Sequence, residues 1–231
     1  EWNHLVQINL QFFWTILGGF SIAFHIWLIF SGLIPNLVSR PLHMALALPW
    51  CLMYGRSGNS FRIGTLLTGL GVLACGYIIL NQELLAEQYG YISSLWQGGI
   101  AILLLIIVLE MARRSIGWPL PVVALIALCY GLYGQYLPGE FGHPGLPLNS
   151  FLGTMTIAEG GIWGKLTGVS VNVVAIFVIF GAVLNAGEAG QGFMNLAMAA
   201  AGRLKAGVAK VSVLSSALFG SISGSASANV A

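Results

Sequence analysis

The chain has 231 residues, of which 57% are hydrophobic and only 7% charged, with a formal net charge of +2 and a mean hydropathy of +0.87. A soluble domain carries roughly 25% charged residues, so this composition excludes a soluble globular protein. It indicates an integral membrane protein that crosses the bilayer several times, and we expect the lipid bilayer but no nucleic acid as a partner.

Long uncharged blocks predict six membrane-spanning helices before Gly187, because a span needs roughly 20 apolar residues. The first block, 12–34, contains His25 as its one ionisable side chain and is too long for the apolar part of a signal peptide, so we expect a retained span. The second block, 41–54, is shorter and contains Pro49. The other four predicted spans are 63–80, 93–109, 118–136 and 166–184.

The distribution of Lys and Arg predicts a cytoplasmic N-terminus, because basic residues are retained in cytoplasmic loops. With this orientation only Arg40 and Lys165, of nine basic residues, lie outside. The basic residues predicted to be cytoplasmic are Arg56, Arg62, Arg113, Arg114, Arg203, Lys205 and Lys210. Without the second span, the basic residues would no longer be concentrated on one side of the membrane, so their distribution favours a second span at 41–54.

Several side chains are predicted to have structural roles. Glu110 precedes Arg113 and Arg114 by three and four residues, a helical spacing that permits ion pairs at a membrane boundary. Tryptophans near span ends are typical of the membrane interface, namely Trp14, Trp96, Trp118 and Trp163. The three cysteines, Cys51, Cys75 and Cys129, are isolated in the sequence. We therefore expect buried packing residues, and neither a disulfide nor a metal cluster.

The segment 137–165 contains three prolines and many glycines, which predicts an irregular surface loop. At this length it is too small to have a core of its own.

The C-terminal part departs from the pattern of spans. Its apolar run, 211–219, is about 13 Å long as a helix and cannot cross a hydrocarbon layer of about 30 Å. It leads into 220–231, a run of glycine and small polar residues that predicts unwound backbone. Such backbone at membrane depth is tolerated where it lines a wet cavity, so a binding site is expected, with Ser223, Ser225, Ser227 and Asn229 as its polar side chains. Close helix packing on small residues and an extramembrane linker are the alternatives.

The segment SSALFGSISGSASANV at 215–230, with Gly202-Arg203 and Ala209-Lys210-Val211 before it, resembles the first re-entrant hairpin of tripartite ATP-independent periplasmic (TRAP) transporters. The pieces Gly168-Val169-Ser170, 177–184 and 187–196 are similar to the segment that precedes this hairpin in the large membrane subunit. The run LEMARRSIGWPLP at 109–121 is similar to permeases in which the small and large subunits are fused. The resemblance covers most of the chain, is most specific from about Gly168 onward and around Glu110 to Pro121, and is weaker before Leu80.

The resemblance implies an all-α integral membrane fold of about six transmembrane helices followed by the start of a re-entrant hairpin. It divides the chain into small-subunit-like scaffold helices (1–135), a periplasmic loop (136–165) and the start of a transport domain (166–231), with the second hairpin beyond Ala231, so that the chain is an N-terminal fragment.

The implied activity is sodium-coupled import of organic anions, usually carboxylates, in the bacterial inner membrane without ATP hydrolysis. A periplasmic substrate-binding protein, of the TAXI type in fused permeases, is the implied partner. The hairpin tip from Ser221 to Asn229 would bind substrate and sodium, with Ser221 and Gly224 at the sodium site, and no other cofactor is expected.

Other function classes fit the residues less well. An intramembrane serine protease would use the Ser221-Ile222-Ser223-Gly224 segment with His25 or His43 as the base, but no partner motif places a base within reach. A channel would need a ring of filter elements, and a uniporter would carry the same substrate without coupling. Gly220 and Gly224 are not followed by the Lys-Ser/Thr pair of a phosphate-binding loop. We therefore expect a transporter and not an enzyme.

Overall fold

The structure is a computed structural model that describes residues 2–202 and 207–223, without the side chains of 2–10, 185, 189, 190, 219 and 221–223. Within these ranges all regular secondary structure is helical, which confirms the predicted all-α class. The α-helices are α1 (Trp2–Phe30), α2 (Asn36–Leu52), α3 (Gly58–Leu80), α4 (Gln82–Glu87), α5 (Leu95–Ile116), α6 (Pro119–Tyr133), α7 (Leu148–Thr156), α8 (Lys165–Val169), α9 (Ala175–Ala186), α10 (Ala189–Ala201) and α11 (Gly207–Ser223).

In the described part of the chain, five helical segments are long and apolar enough to cross a membrane. They are Gln11–Phe30, Gly58–Leu80, Leu95–Ile116, Pro119–Tyr136 and Leu148–Leu184. Each of these segments overlaps one of the six predicted spans, and in Leu148–Leu184 the overlap lies after the break at 157–164 that separates α7 from α8. The remaining predicted span corresponds to α2, which is a helix of 17 residues with Pro41 and Pro49 inside it. The number of crossings therefore stays a prediction, although the helix itself is present.

The chain divides into two compact units, of which the first comprises Glu1–Leu17 and Ser31–Gly168. Its core is formed by α2, α3, α5 and α7, which contribute fully buried side chains such as Leu48, Ile78 and Leu104. Glycines let α3 approach α2 closely. A Cβ atom at Gly64 would collide with the Leu52 carbonyl, and one at Gly71 would lie 2.6 Å from Leu48 Cδ1.

The predicted irregular loop 137–165 is only partly irregular. It contains α7, which begins after Pro147 and buries Phe151, Leu152 and the following Ile157 in the core of the first unit. The prediction was wrong here because proline and glycine content describes the ends of this segment, while the apolar residues between them find partners on α5 and α6.

The second unit comprises Gly18–Phe30 and Val169–Ala231. In its described part, helices α9, α10 and α11 follow one another, and the turn before α10 places Glu188 in the left-handed region with a φ of 57°. Helices α10 and α11 pack through a small cluster of Ala197, Ala201 and Val211. The small side chains of α10 permit this close packing.

Candidate functional site

Helix α11 contains the beginning of the predicted binding tip. It continues to Ser223, so residues 220–223 are helical and the prediction of unwound backbone from Gly220 is wrong for them. In a helix, glycine and serine are each less favourable than alanine by no more than about 1 kcal/mol. Such a preference is easily outweighed when the preceding turns are already packed, as Val211 and Ser215 are.

Only two of the predicted site residues fall on described backbone. Ser221 and Ser223 lie in the last turn of α11, and the structure describes their backbone without their side chains. Gly224, Ser225, Ser227 and Asn229 lie outside the described residues altogether. Their roles in substrate and sodium binding therefore stay predictions, as does the re-entrant hairpin itself.

Helix α11 presents serines in the turns that lead to this tip. Ser215 is 9% exposed and lies one turn after Val211, on the face that packs near α10. Ser212, on the same helix, is exposed. The serines are thus divided between the packed face and the open face, so both predicted uses of small residues, close packing and ligand contact, are available to this helix.

A π-helical turn at Ser170–Val174 joins α8 to α9 and was not predicted. The amide of Ala175 donates to the Ser170 carbonyl, five residues earlier. Single π-helical turns within α-helices are rare and are frequent at functional sites. The exposed Asn172 adds a side-chain amide. Hydropathy could not reveal this turn, because a π turn has the same apolar composition as the helix around it.

Charged side chains gather where α5 ends. Arg113 Nε lies 2.7 Å and Arg114 Nε 2.6 Å from the Glu110 carboxylate, which confirms the predicted ion pairs. Arg114 also donates to the carbonyls of Leu52, at 2.8 Å, and Ser60, at 3.2 Å. Arg56 donates to the Arg114 carbonyl at 3.0 Å. These contacts tie the connection between α2 and α3 to the end of α5.

Arg40 on α2 forms a second charged contact. Its guanidinium donates to the Trp163 carbonyl and lies so close to Gly168 that a Cβ atom there would be 2.9 Å from Arg40 Nη2. One turn earlier on α2, Asn36 donates to Glu159 at 2.9 Å. Sequence spacing could not predict these contacts, since their partners are separated by more than a hundred residues.

The tryptophans do not all lie at an interface. Trp96 is 72% and Trp118 63% exposed, as an interfacial role requires, but Trp163 is 0% exposed. The Trp163 indole Nε1 donates to the Thr156 carbonyl at 2.6 Å. The interfacial prediction for Trp163 is therefore wrong, because α7 and α2 enclose the ring.

Other candidate residues are dispersed. His25 is 4% exposed, and its Nδ1–H donates to the Ser21 carbonyl of the same helix at 2.6 Å. Cys75 is buried as predicted, whereas Cys51 is partly buried and Cys129 is exposed, which corrects the prediction for Cys129. The described residues contain no group of three or more side chains suited to hold a metal ion.

Comparison with known proteins gives one family. The model of the DctM component of the tripartite ATP-independent periplasmic transporter matches residues 103–231, more than half of the chain. The match includes LEMARRSIGWPLP and the segment SSALFGSISGSASANV. Comparisons with curated proteins and with solved structures gave no significant match.

Proposed function

The chain belongs to the DctM family of TRAP transporter permeases, and from this premise we propose that it works in a sodium-coupled, binding-protein-dependent secondary transporter that imports organic anions. The observation that carries the proposal is the family match over 103–231, which extends from α5 through the serine-bearing α11. Carboxylates are the proposed substrates, because they are what the resemblance to this family implies.

In the proposed mechanism, a periplasmic binding protein delivers the anion, and the permease alternates between outward and inward access. Substrate contacts Ser223, Ser225, Ser227 and Asn229, whose hydroxyls and amide can donate to a carboxylate. Sodium binds beside Ser221 and Gly224, where backbone carbonyls at the end of a broken helix are available.

The scaffold role proposed for 1–135 rests on its packing. Its helices hold one another through glycine contacts and the Glu110 cluster, and these contacts support a rigid frame for a moving domain. Gly64 and Gly71 on α3 are the closest of these approaches. The TAXI type of binding protein is proposed from the resemblance to fused permeases.

The proposed location is the bacterial inner membrane with a cytoplasmic N-terminus. The hydrogen bond from Arg56 to the Arg114 carbonyl joins two arginines expected on the cytoplasmic side. The contact of Arg40 with Trp163, two residues before Lys165, joins segments expected outside. Both contacts support this orientation.

The test is uptake of radiolabelled organic acids by proteoliposomes that hold the complete permease, with its binding protein outside. We expect uptake that requires an inward sodium gradient and the binding protein and that is lost in Ser223→Ala and Asn229→Ala. Ser212→Ala is the matched control, since Ser212 lies earlier on α11 in an exposed position, and it retains uptake.

Two results would contradict the proposal. Uptake indifferent to both sodium and the binding protein indicates a channel or a uniporter. Full uptake in Ser223→Ala and Asn229→Ala removes the substrate site from the hairpin tip.

A further inference from the structure

A shallow apolar groove of about 640 Å³ runs along the open face of α3. Arg62 lies at one end and Leu73 at the other, with Leu66, Gly69 and Leu70 between them. Gly69 lies in the groove without a side chain to fill it, and a Cβ atom there would meet nothing within 4 Å. Leu66 and Leu73 beside it are 63% and 72% exposed. The groove therefore presents apolar walls to whatever surrounds the helix.

The length and position of the groove match one leaflet of a bilayer. From residue 62 to residue 73 a helix rises about 16 Å, roughly half of a 30 Å hydrocarbon layer. Arg62 lies about one turn from the start of α3 at Gly58, where an arginine side chain extends to the headgroup level. The groove thus runs from the headgroups to the middle of the bilayer.

The end of the groove at Arg62 is positively charged. Arg113 and Arg114 share the single carboxylate of Glu110, and Arg114 donates to the Ser60 carbonyl, two residues before Arg62. Among the residues that the structure describes, Arg62 belongs to no ion pair. The arginine clusters of membrane proteins attract anionic headgroups.

We propose that this groove is a binding site for one anionic phospholipid. The phosphate is held by the Arg62 guanidinium, and one acyl chain lies over Gly69 between Leu66 and Leu73. An anionic lipid is the occupant that the charge at this end favours, because the Arg62 guanidinium belongs to no ion pair among the described residues and lies where a phosphate headgroup would be. The proposal requires a membrane-spanning α3 and is independent of the transported substrate and of sodium.

Native mass spectrometry of the full permease, titrated with phosphatidylglycerol or phosphatidylcholine, tests the site. We expect preferential retention of phosphatidylglycerol. Arg62→Gln should weaken it by about fivefold, the usual effect of one basic residue near an anionic headgroup. Gly69→Leu should weaken it at least as much by filling the groove, and the open space at Gly69 lets the variant fold.

Two matched controls separate the site from general effects. Gly99→Leu makes the same change at an exposed α5 glycine that also has nothing within 4 Å, and retains wild-type lipid binding. Arg113→Gln removes the same charge from the same end of the helices without touching the groove, and weakens binding less than Arg62→Gln.

Three outcomes would overturn the proposal. One is equal retention of phosphatidylcholine and phosphatidylglycerol. Another is wild-type binding in Gly69→Leu. The third is capture of a polypeptide, such as a second copy of the chain, in place of lipid by a photo-crosslinking amino acid at Leu66 in native membranes.

Discussion

At the scale of single residues, long side chains satisfy backbone carbonyls where helices end. Leu52 is the last residue of α2 and accepts from Arg114, and Thr156 is the last residue of α7 and accepts from the Trp163 indole. Carbonyls in the last turn of a helix have no partner within it. These two side chains therefore connect helix ends that would otherwise need water or lipid headgroups.

Replacement of Glu110 by glutamine tests the charged cluster. The Arg114 side chain is only 4% exposed, so loss of the carboxylate leaves its charge without a counter-ion. We expect a loss of about 2 kcal/mol in the free energy of unfolding, the usual contribution of a hydrogen bond to a charged group. Denaturation of the purified permease in detergent micelles measures it. Arg113→Gln should lower the free energy of unfolding less than Glu110→Gln does, because the Arg113 side chain is 36% exposed. Equal losses in the two variants would contradict the role assigned to burial of Arg114.

Replacement of Trp163 by phenylalanine tests the buried indole. The change keeps most of the apolar volume but leaves the Thr156 carbonyl without its donor. We expect a loss of about 1–3 kcal/mol, measured in the same denaturation experiment. Trp96→Phe is the control, because Trp96 is 72% exposed, and it leaves stability unchanged. An unchanged free energy of unfolding in Trp163→Phe would show that the indole hydrogen bond does not contribute to stability.

At the scale of helices, glycine decides how closely α2 and α3 approach. The two contacts occur at Gly64 and Gly71, two turns apart on one face of α3. Without a hydrophobic driving force in lipid, helices associate through such close packing. The other side of α3 carries glycines with open space around them, Gly69 and Gly76, so one helix has a packed face and an open face.

Gly64→Ala and Gly76→Ala compare these two faces. The methyl group at Gly64 collides with the Leu52 carbonyl, a backbone atom that cannot move aside, so we expect a loss of about 1–3 kcal/mol. Gly76→Ala meets no atom and gains up to about 1 kcal/mol from helix propensity. Thermal denaturation of both variants checks the difference. The same effect at both positions would mean that α2 and α3 are not in close contact.

At the scale of the whole molecule, the path of the chain across the membrane depends on α2. The apolar segment of α1 ends at Phe30, and α3 begins at Gly58. With α2 as a span, the arginines around Arg56 lie on the opposite side from Arg40. Without it, both groups lie on one side and the basic residues lose their asymmetric distribution.

Cysteine labelling decides this path. In a chain with its three cysteines replaced, single cysteines are introduced as Leu33→Cys, Ser57→Cys and Phe141→Cys, all at exposed positions between helices or in a surface turn. With a membrane-impermeant maleimide we expect Leu33→Cys and Phe141→Cys to be labelled from outside. Ser57→Cys should be labelled only after permeabilisation. Labelling of Leu33→Cys and Ser57→Cys from the same side would show that α2 does not cross.

The sequence predicted which residues belong to the candidate site, but it did not predict the backbone conformation of that site. The serine and glycine run that begins at Gly220 identified the region, yet α11 stays helical to Ser223. The π turn at Ser170–Val174 left no signal in hydropathy. Helix ends and helix irregularities depend on differences of about 1 kcal/mol per residue, which contacts with other helices readily exceed.

The sequence by itself determined the all-α membrane class, the positions of the apolar helices and the Glu110 ion pairs. These follow from properties of consecutive residues, namely the solvent preference of an uncharged run and the spacing of one helical turn. The tertiary structure alone decided that Trp163 is buried, that Cys129 is exposed, that α7 belongs to a core and that Arg40 contacts Trp163. Each of these depends on residues distant in the chain, and packing between them is set by shape and not by local composition.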